Sequence, residues 1–242
     1  MSKTGPFLLP LFRSVLFIFA GLLFITLSGQ SLGEASQWWS ILCTACNLVT
    51  IALLVLVCRK EGITFRSLLG FDKDPGTWRH TLRIVGLMLL LGIGGMYGFG
   101  FLIYGYIPVV MVQPIPVPFA VLNLLLLPLT IVLAEFPLYF GYSLNGIDRI
   151  TGNKWLAIGY PMFFYALQHS FIPLIFEGQH ILFRFLSFLP LIFVLGLLYY
   201  KDRRLKSLMM GHAVLDFATG AQILMTSLSP AVYLLMKSAG GR

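Results

Sequence analysis

Two of the nine acidic residues in this 242-residue chain, Glu135 and Asp216, stand inside long apolar runs, as do two of the four histidines, His169 and His212. The other acids, Glu34, Glu61, Asp72, Asp74, Asp148, Glu177 and Asp202, fall in loops or at their edges, with His80 and His180. An acidic side chain at the centre of a bilayer costs about 2.5 to 3.5 kcal/mol on insertion scales, so such groups face a bundle interior and find one another there. His212 and Asp216 are four residues apart and share one helix face. Glu135, His169, His212 and Asp216 are therefore expected to converge on one polar pocket. A carboxylate beside imidazoles can move protons and activate water, relay protons across a membrane, or ligate a metal. The bland alternative is that each residue simply hydrogen-bonds to a neighbour.

The elements that must position these groups are helices in lipid. The chain is 58% hydrophobic and 11% charged, with a mean hydropathy of +0.88, a balance that excludes an ordinary soluble domain. A spanning helix needs about 20 apolar residues. Such runs are expected at Phe7–Ser28, Trp38–Cys58, Leu82–Tyr104, Val117–Leu144, Trp155–Phe176 and Ile181–Tyr200, with a seventh from Leu205 past Asp216. A tail at Ala221–Met236, set off by Ser227 and Pro230, makes a possible eighth. The expected fold is an all-α polytopic bundle of seven or eight spans, forming a single membrane domain over residues 1–242. The first apolar run exceeds the h-region of a cleaved signal peptide and reads as a retained helix flanked by Lys3 and Arg13.

Basic residues set the expected orientation. Arg59, Lys60, Arg66, Lys73 and Arg79 crowd one loop, Arg149 and Lys154 a second, and Lys201, Arg203, Arg204 and Lys206 a third, whereas the alternate loops are nearly bare. The N-terminus and the basic loops are thus expected in the cytoplasm, in a bacterial cell membrane. The net charge of +8 is read as topology and headgroup contact, not as nucleic-acid binding.

Three further features receive structural readings. Cys43, Cys46 and Cys58 share one apolar run and read as packing residues. Gly94 and Gly98, at GxxxG spacing, suggest a close helix crossing. Gly62–Phe71 reads either as an amphipathic interfacial piece or as a connector turn.

Three short segments on separate spans resemble the signatures of the CPBP family (CAAX prenyl endopeptidases and bacteriocin-processing enzymes, also called Abi), which run EExxxR, FxxxH and HxxxN/D. The first reads Glu135-Phe136-Pro137-Leu138-Tyr139-Phe140-Gly141, the second Tyr165-Ala166-Leu167-Gln168-His169, and the third His212-Ala213-Val214-Leu215-Asp216. The resemblance covers about residues 120–221, a CPBP-like catalytic core. It departs from the pattern at Phe136 and Phe140, where the family has a second Glu and an Arg. Replacing both partners of a buried pair with apolar groups can be nearly neutral, while losing one strands a charge, so the exchange reads as a packed pair in place of an ionic one.

The resemblance implies an intramembrane endopeptidase without cofactor that acts on a membrane-associated protein or peptide. Glu135 would be the general base, holding the attacking water with His169, and His212 and Asp216 would stabilise the oxyanion. A catalytic zinc is a lesser reading of the same donors. An inactive immunity or scaffold protein on this fold and a proton-coupled transporter are the alternatives.

Overall fold

A computed structural model describes residues 2–70 and 77–240; Phe71, Asp72, Lys73 and Asp74 of the first basic loop, and Gly241 and Arg242, lie outside the described residues. Those described form helices and their connections, without a strand. In chain order the helices are α1 (Gly5–Ser28), α2 (Leu32–Ser36), α3 (Trp39–Lys60), α4 (Phe65–Leu69), α5 (Trp78–Tyr104), α6 (Val117–Phe136), α7 (Asn145–Thr151), α8 (Lys154–His169), α9 (Gly178–Asp202), α10 (Leu205–Leu228) and α11 (Pro230–Gly240). Local chemistry sets several of the breaks. Gly29 closes α1 at φ 67°, a left-handed geometry that costs glycine nothing. Gly152 closes α7 in the same way, and the Asn153 side chain then accepts from the amides of Trp155 and Leu156 to open α8. At α2, Ser31 and Glu34 form a reciprocal capping box, and the Ser31 hydrogen bonds hold the Glu34 carboxyl below its usual range.

Six helices are long and apolar enough to cross a membrane: α1, α3, α5, the run from α6 through α7, α9 and α10. This corrects the expected count. The fifth run stops as a helix at His169 after 16 residues and leaves an irregular connection before α9. No separate eighth span exists among the described residues. Helix α10 continues to Leu228, and α11, which Pro230 opens, has 11 residues and is too short to span.

The run α6–α7 is the axis of the bundle. It packs between α3 and α10, while α8 lies on α9, α5 bridges α9 and α10, and α1 leans on α8. Between Phe136 and Asn145 the axis widens into a π-helical turn, Pro137–Leu144. Pro137 has no N–H to return to the preceding turn, which accounts for a break in the regular ladder at this point. Every residue from Ala134 to Leu144 is buried, because α1, α4 and α8 close on the turn from the sides that α3 and α10 leave open. Helix α4 fits neither expected reading of its segment, since it packs on the bundle: Leu68 and Leu69 are buried, and the Leu68 backbone lies where a Cβ on Gly141 would be.

The close crossing in α5 is real but falls one residue away from the expected pair. Gly94 and Gly98 face open space, whereas a Cβ on Gly95 would strike the Ser187 carbonyl of α9. The cysteines are free and buried.

Candidate active site

Glu135 is the second-last residue of α6 and is completely buried. Its two oxygens are used differently. Oε1 accepts from Gln168 Nε2 at 2.6 Å and from Arg13 Nη2 at 3.1 Å. Oε2 accepts from no protein group and lies 3.7 Å from His212 Nε2. The other ring nitrogen of His212, Nδ1, meets Asp216 Oδ2 at 2.6 Å, as the i, i+4 spacing on α10 predicts. A carboxylate only accepts, so Nδ1 carries the hydrogen. His212 therefore stands between two carboxylates, with Asp216 on the side away from Glu135.

His169 is the last residue of α8 and is held one shell farther out. Its Nδ1 lies 2.8 Å from the Tyr165 carbonyl; a carbonyl only accepts, so in the neutral ring Nε2 is the acceptor. Its ring stacks on Phe188 at 4.0 Å between centroids. It makes neither a hydrogen bond nor an ion pair with Glu135, whose near imidazole belongs to His212. Glu135, His212 and Asp216 thus form one line of contacts, and Tyr165 lies between the rings of His212 and His169. The Tyr165 hydroxyl and Glu135 Oε2 are both buried without a hydrogen bond of ordinary length, and the hydroxyl is near enough to Glu135 to interact with its carboxyl group.

The substituted positions form one wall. Phe136 and Phe140 stack at 5.2 Å with planes 16° apart, and Phe136 presents its ring edge-on to His212 at 5.3 Å. Both are fully buried. This is the packed pair that the joint loss of Glu and Arg suggests, and it shields the site toward the end of the bundle where the basic residues cluster.

Several polar groups around the site are not signature residues. Arg13 reads from sequence as a flank of the first span, but it lies on the inward stripe of α1 with no exposed surface. It donates to Gln168 Oε1 at 2.6 Å, Thr50 Oγ1 at 2.7 Å and Asn47 Oδ1 at 2.6 Å, besides Glu135. Gln168 in turn accepts from the Tyr139 hydroxyl at 2.8 Å. His180, expected in a loop, is buried in the first turn of α9 beside Arg184. The sign that could have found Arg13 is its place nine residues into an apolar helix, where a solvent-facing cation has no outlet.

No group of three or more His, Cys, Asp or Glu side chains able to hold a metal occurs among the described residues. Oε1 of Glu135 is committed to a guanidinium and an amide, and Nδ1 of His212 to Asp216.

Neither a curated protein nor a solved structure matches the chain. The family model for type II CAAX prenyl endopeptidases (Rce1-like) matches residues 117–218, which span α6 to the Asp216 turn of α10 and hold Glu135, His169 and His212. Over this segment, less than half of the chain, the sequence is similar to the type II CAAX prenyl endopeptidases.

Proposed function

We propose that the chain hydrolyses a peptide bond in a membrane-associated protein or peptide, with Glu135 as the general base. The carrying observation is the asymmetry of that carboxylate: Oε1 is anchored by two donors, while Oε2 is buried, unpartnered and 3.7 Å from an imidazole. A water molecule can lie at hydrogen-bonding distance, about 2.8 Å, from both of two groups so spaced. Oε2 takes one water hydrogen, and His169, with Nε2 as acceptor, orients the other. The resulting hydroxide attacks the carbonyl carbon, and the carbonyl π electrons move to oxygen. His212 as imidazolium, its Nδ1–H held by Asp216, presents Nε2–H to that oxyanion. Glu135 then returns its proton to the departing amine.

This arrangement answers an electrostatic objection to an aspartate in such a site. Asp216 acts through the far nitrogen of His212, so the imidazolium stands between its charge and the developing oxyanion. The family description supports prenylated CAAX-type tails as the first substrates to try.

The test is cleavage of lipidated peptides bearing a C-terminal CAAX sequence by the purified protein in proteoliposomes. Glu135→Gln is isosteric and keeps the Gln168 and Arg13 contacts within reach. It is expected to lower the rate by about 10²–10⁴-fold, the contribution of a positioned general base. Normal cleavage by Glu135→Gln would remove the assignment.

A further inference from the structure

Arg13 lies on α1, more than a hundred residues before the segment that carries the family signatures. We infer that Arg13 is the positioning residue of Glu135, supplied from outside the family core in place of the arginine that the first signature lacks at Phe140. The inference rests on the hydrolytic reading above and deepens it by adding a residue that the signatures do not contain.

Three observations carry it. The first is commitment. Arg13 is wholly buried, and its guanidinium reaches acceptors on three other helices: Asn47 and Thr50 on α3, Glu135 on α6 and Gln168 on α8. Its charged plane lies 5.0 Å from the Phe17 ring. A planar fork with fixed donor directions can serve several acceptors at once; a lysine ammonium, one compact charge on a flexible stem, cannot reproduce the directions.

The second is closure of a ring. Arg13 Nε donates to Gln168 Oε1, Gln168 Nε2 donates to Glu135 Oε1, and Arg13 Nη2 donates to the same Oε1. Each member is held by the other two. Rotation of the carboxylate would break both bonds to Oε1, so the ring fixes the plane in which Oε2 faces His212. Tyr139 braces Gln168 from the π-helical turn.

The third is charge. Glu135 and Asp216 are two carboxylates sharing His212, which contacts both. With Arg13 fixed on Glu135, the His212 proton can serve Asp216 on one side and a reacting oxygen on the other. Without Arg13, the imidazolium would be the only cation paired with Glu135 and would be drawn toward it, blocking Oε2. Residue 140, where the signature has its arginine, is a buried phenylalanine stacked on Phe136. Within 117–218, His212 is the one described group that forms an ion pair with Glu135. Arg13 touches neither the space in front of Oε2 nor either histidine through a hydrogen bond, so its part is to position, not to react.

The experiment uses the full-length protein and two readouts. The first needs no substrate. Arg13→Met is expected to lower the melting temperature, and the drop should shrink by more than half when Glu135 is already Gln, since the stranded carboxylate is then absent. An undiminished drop would show that Arg13 is not coupled to Glu135 and would overturn the inference. The second readout is cleavage of the lipidated peptide. Arg13→Lys keeps the charge and should melt closer to the wild type than Arg13→Met, yet its kcat is expected to fall on the order of 10²-fold, as for a misplacement of about 1 Å. KM should change by less than threefold. Recovery of both melting temperature and kcat in Arg13→Lys would reduce Arg13 to a structural charge and overturn the positioning role. Absence of cleavage by the wild type would instead sink the hydrolytic reading, and the thermal coupling would still decide whether Arg13 is the counter-ion of Glu135.

Discussion

Arg13 and Arg184 are both sealed inside the bundle, at 0% and 1% exposure, and their surroundings have little in common. Arg13 meets a carboxylate, two side-chain amide oxygens and a hydroxyl. Arg184 meets the backbone carbonyls of His169 and Ile172, the Met96 sulfur and the face of Phe188. Among the described residues no carboxylate pairs with it. One cation is matched by a charge that catalysis would need; the other gathers the carbonyl groups left over where α8 ends and the chain turns toward α9. A buried arginine in a membrane bundle is therefore not one kind of object. Its partners decide whether it tunes a charge or ties a loop.

The contrast can be broken by removing each cation in turn. Arg13→Met leaves Glu135 as an uncompensated buried charge, and losing one member of a buried pair costs about 3–5 kcal/mol. Arg184→Met removes a buried charge and leaves the Ile172 carbonyl without its donor, while the His169 carbonyl keeps the Ile172 amide; about 1–3 kcal/mol is expected. Unfolding of the two variants in mixed micelles, followed by circular dichroism, should show Arg13→Met as clearly the weaker protein. Equal losses would mean that the carbonyl cage of Arg184 matters as much as an ion pair. Phe188 links Arg184 to the site, since it lies under the guanidinium and against His169. Arg184→Met should therefore also lower cleavage, though less than Arg13→Lys does.

These two arginines also show where sequence reasoning stops. Glu135, His212 and Asp216 were legible because an acid or an imidazole in an apolar run has so few places to go, and their order along the chain carried the family resemblance. The Phe136–Phe140 stack was legible because two charges vanished together. Arg13 and Arg184 were not, because basic residues near the ends of spans ordinarily report topology, and only packing tells a snorkelling cation from a captured one. Gln168 passed as filler between motif positions, although it is the bridge between Arg13 and Glu135. The span count erred where apolarity outlasts helix: residues after His169 remain hydrophobic, but the chain there turns beneath Arg184 instead of continuing as α8.

The clamp around Arg184 depends on α5 coming close to α9, which sharpens the comparison at the level of packing. A Cβ on Gly95 would meet the Ser187 carbonyl, while one on Gly94 would meet nothing. Gly95→Ala must push the helices apart and is expected to cost about 1–3 kcal/mol, the range for overpacking a close interface. It should also loosen the Met96 contact to Arg184. Gly94→Ala adds only helix propensity and should be neutral or stabilising by up to about 1 kcal/mol. Thermal melts of the two neighbours, in one detergent, separate a crossing point from a glycine-rich composition. Equal effects would count against the crossing described.

A third arginine sets the lower end of the scale. Arg203, just past α9, forms an ion pair with Asp148 at 2.9 Å, with side chains 37% and 25% exposed. It also donates to Asn145 and covers the Tyr200 ring. Pairs so open to solvent contribute about 0.2–1 kcal/mol. Against this, Arg203 has φ 54°, and the left-handed region costs an L-residue roughly 1–2 kcal/mol relative to glycine. Arg203→Gly loses the pair and relieves the backbone, so the two effects nearly cancel and stability should stay within about 1 kcal/mol of the wild type. Arg203→Ala loses the pair and keeps the strain, and it should be the less stable of the two. If the glycine variant instead falls as far as Arg13→Met, then exposure does not set the worth of an arginine in this bundle, and the ranking from Arg13 through Arg184 to Arg203 fails at its weakest member.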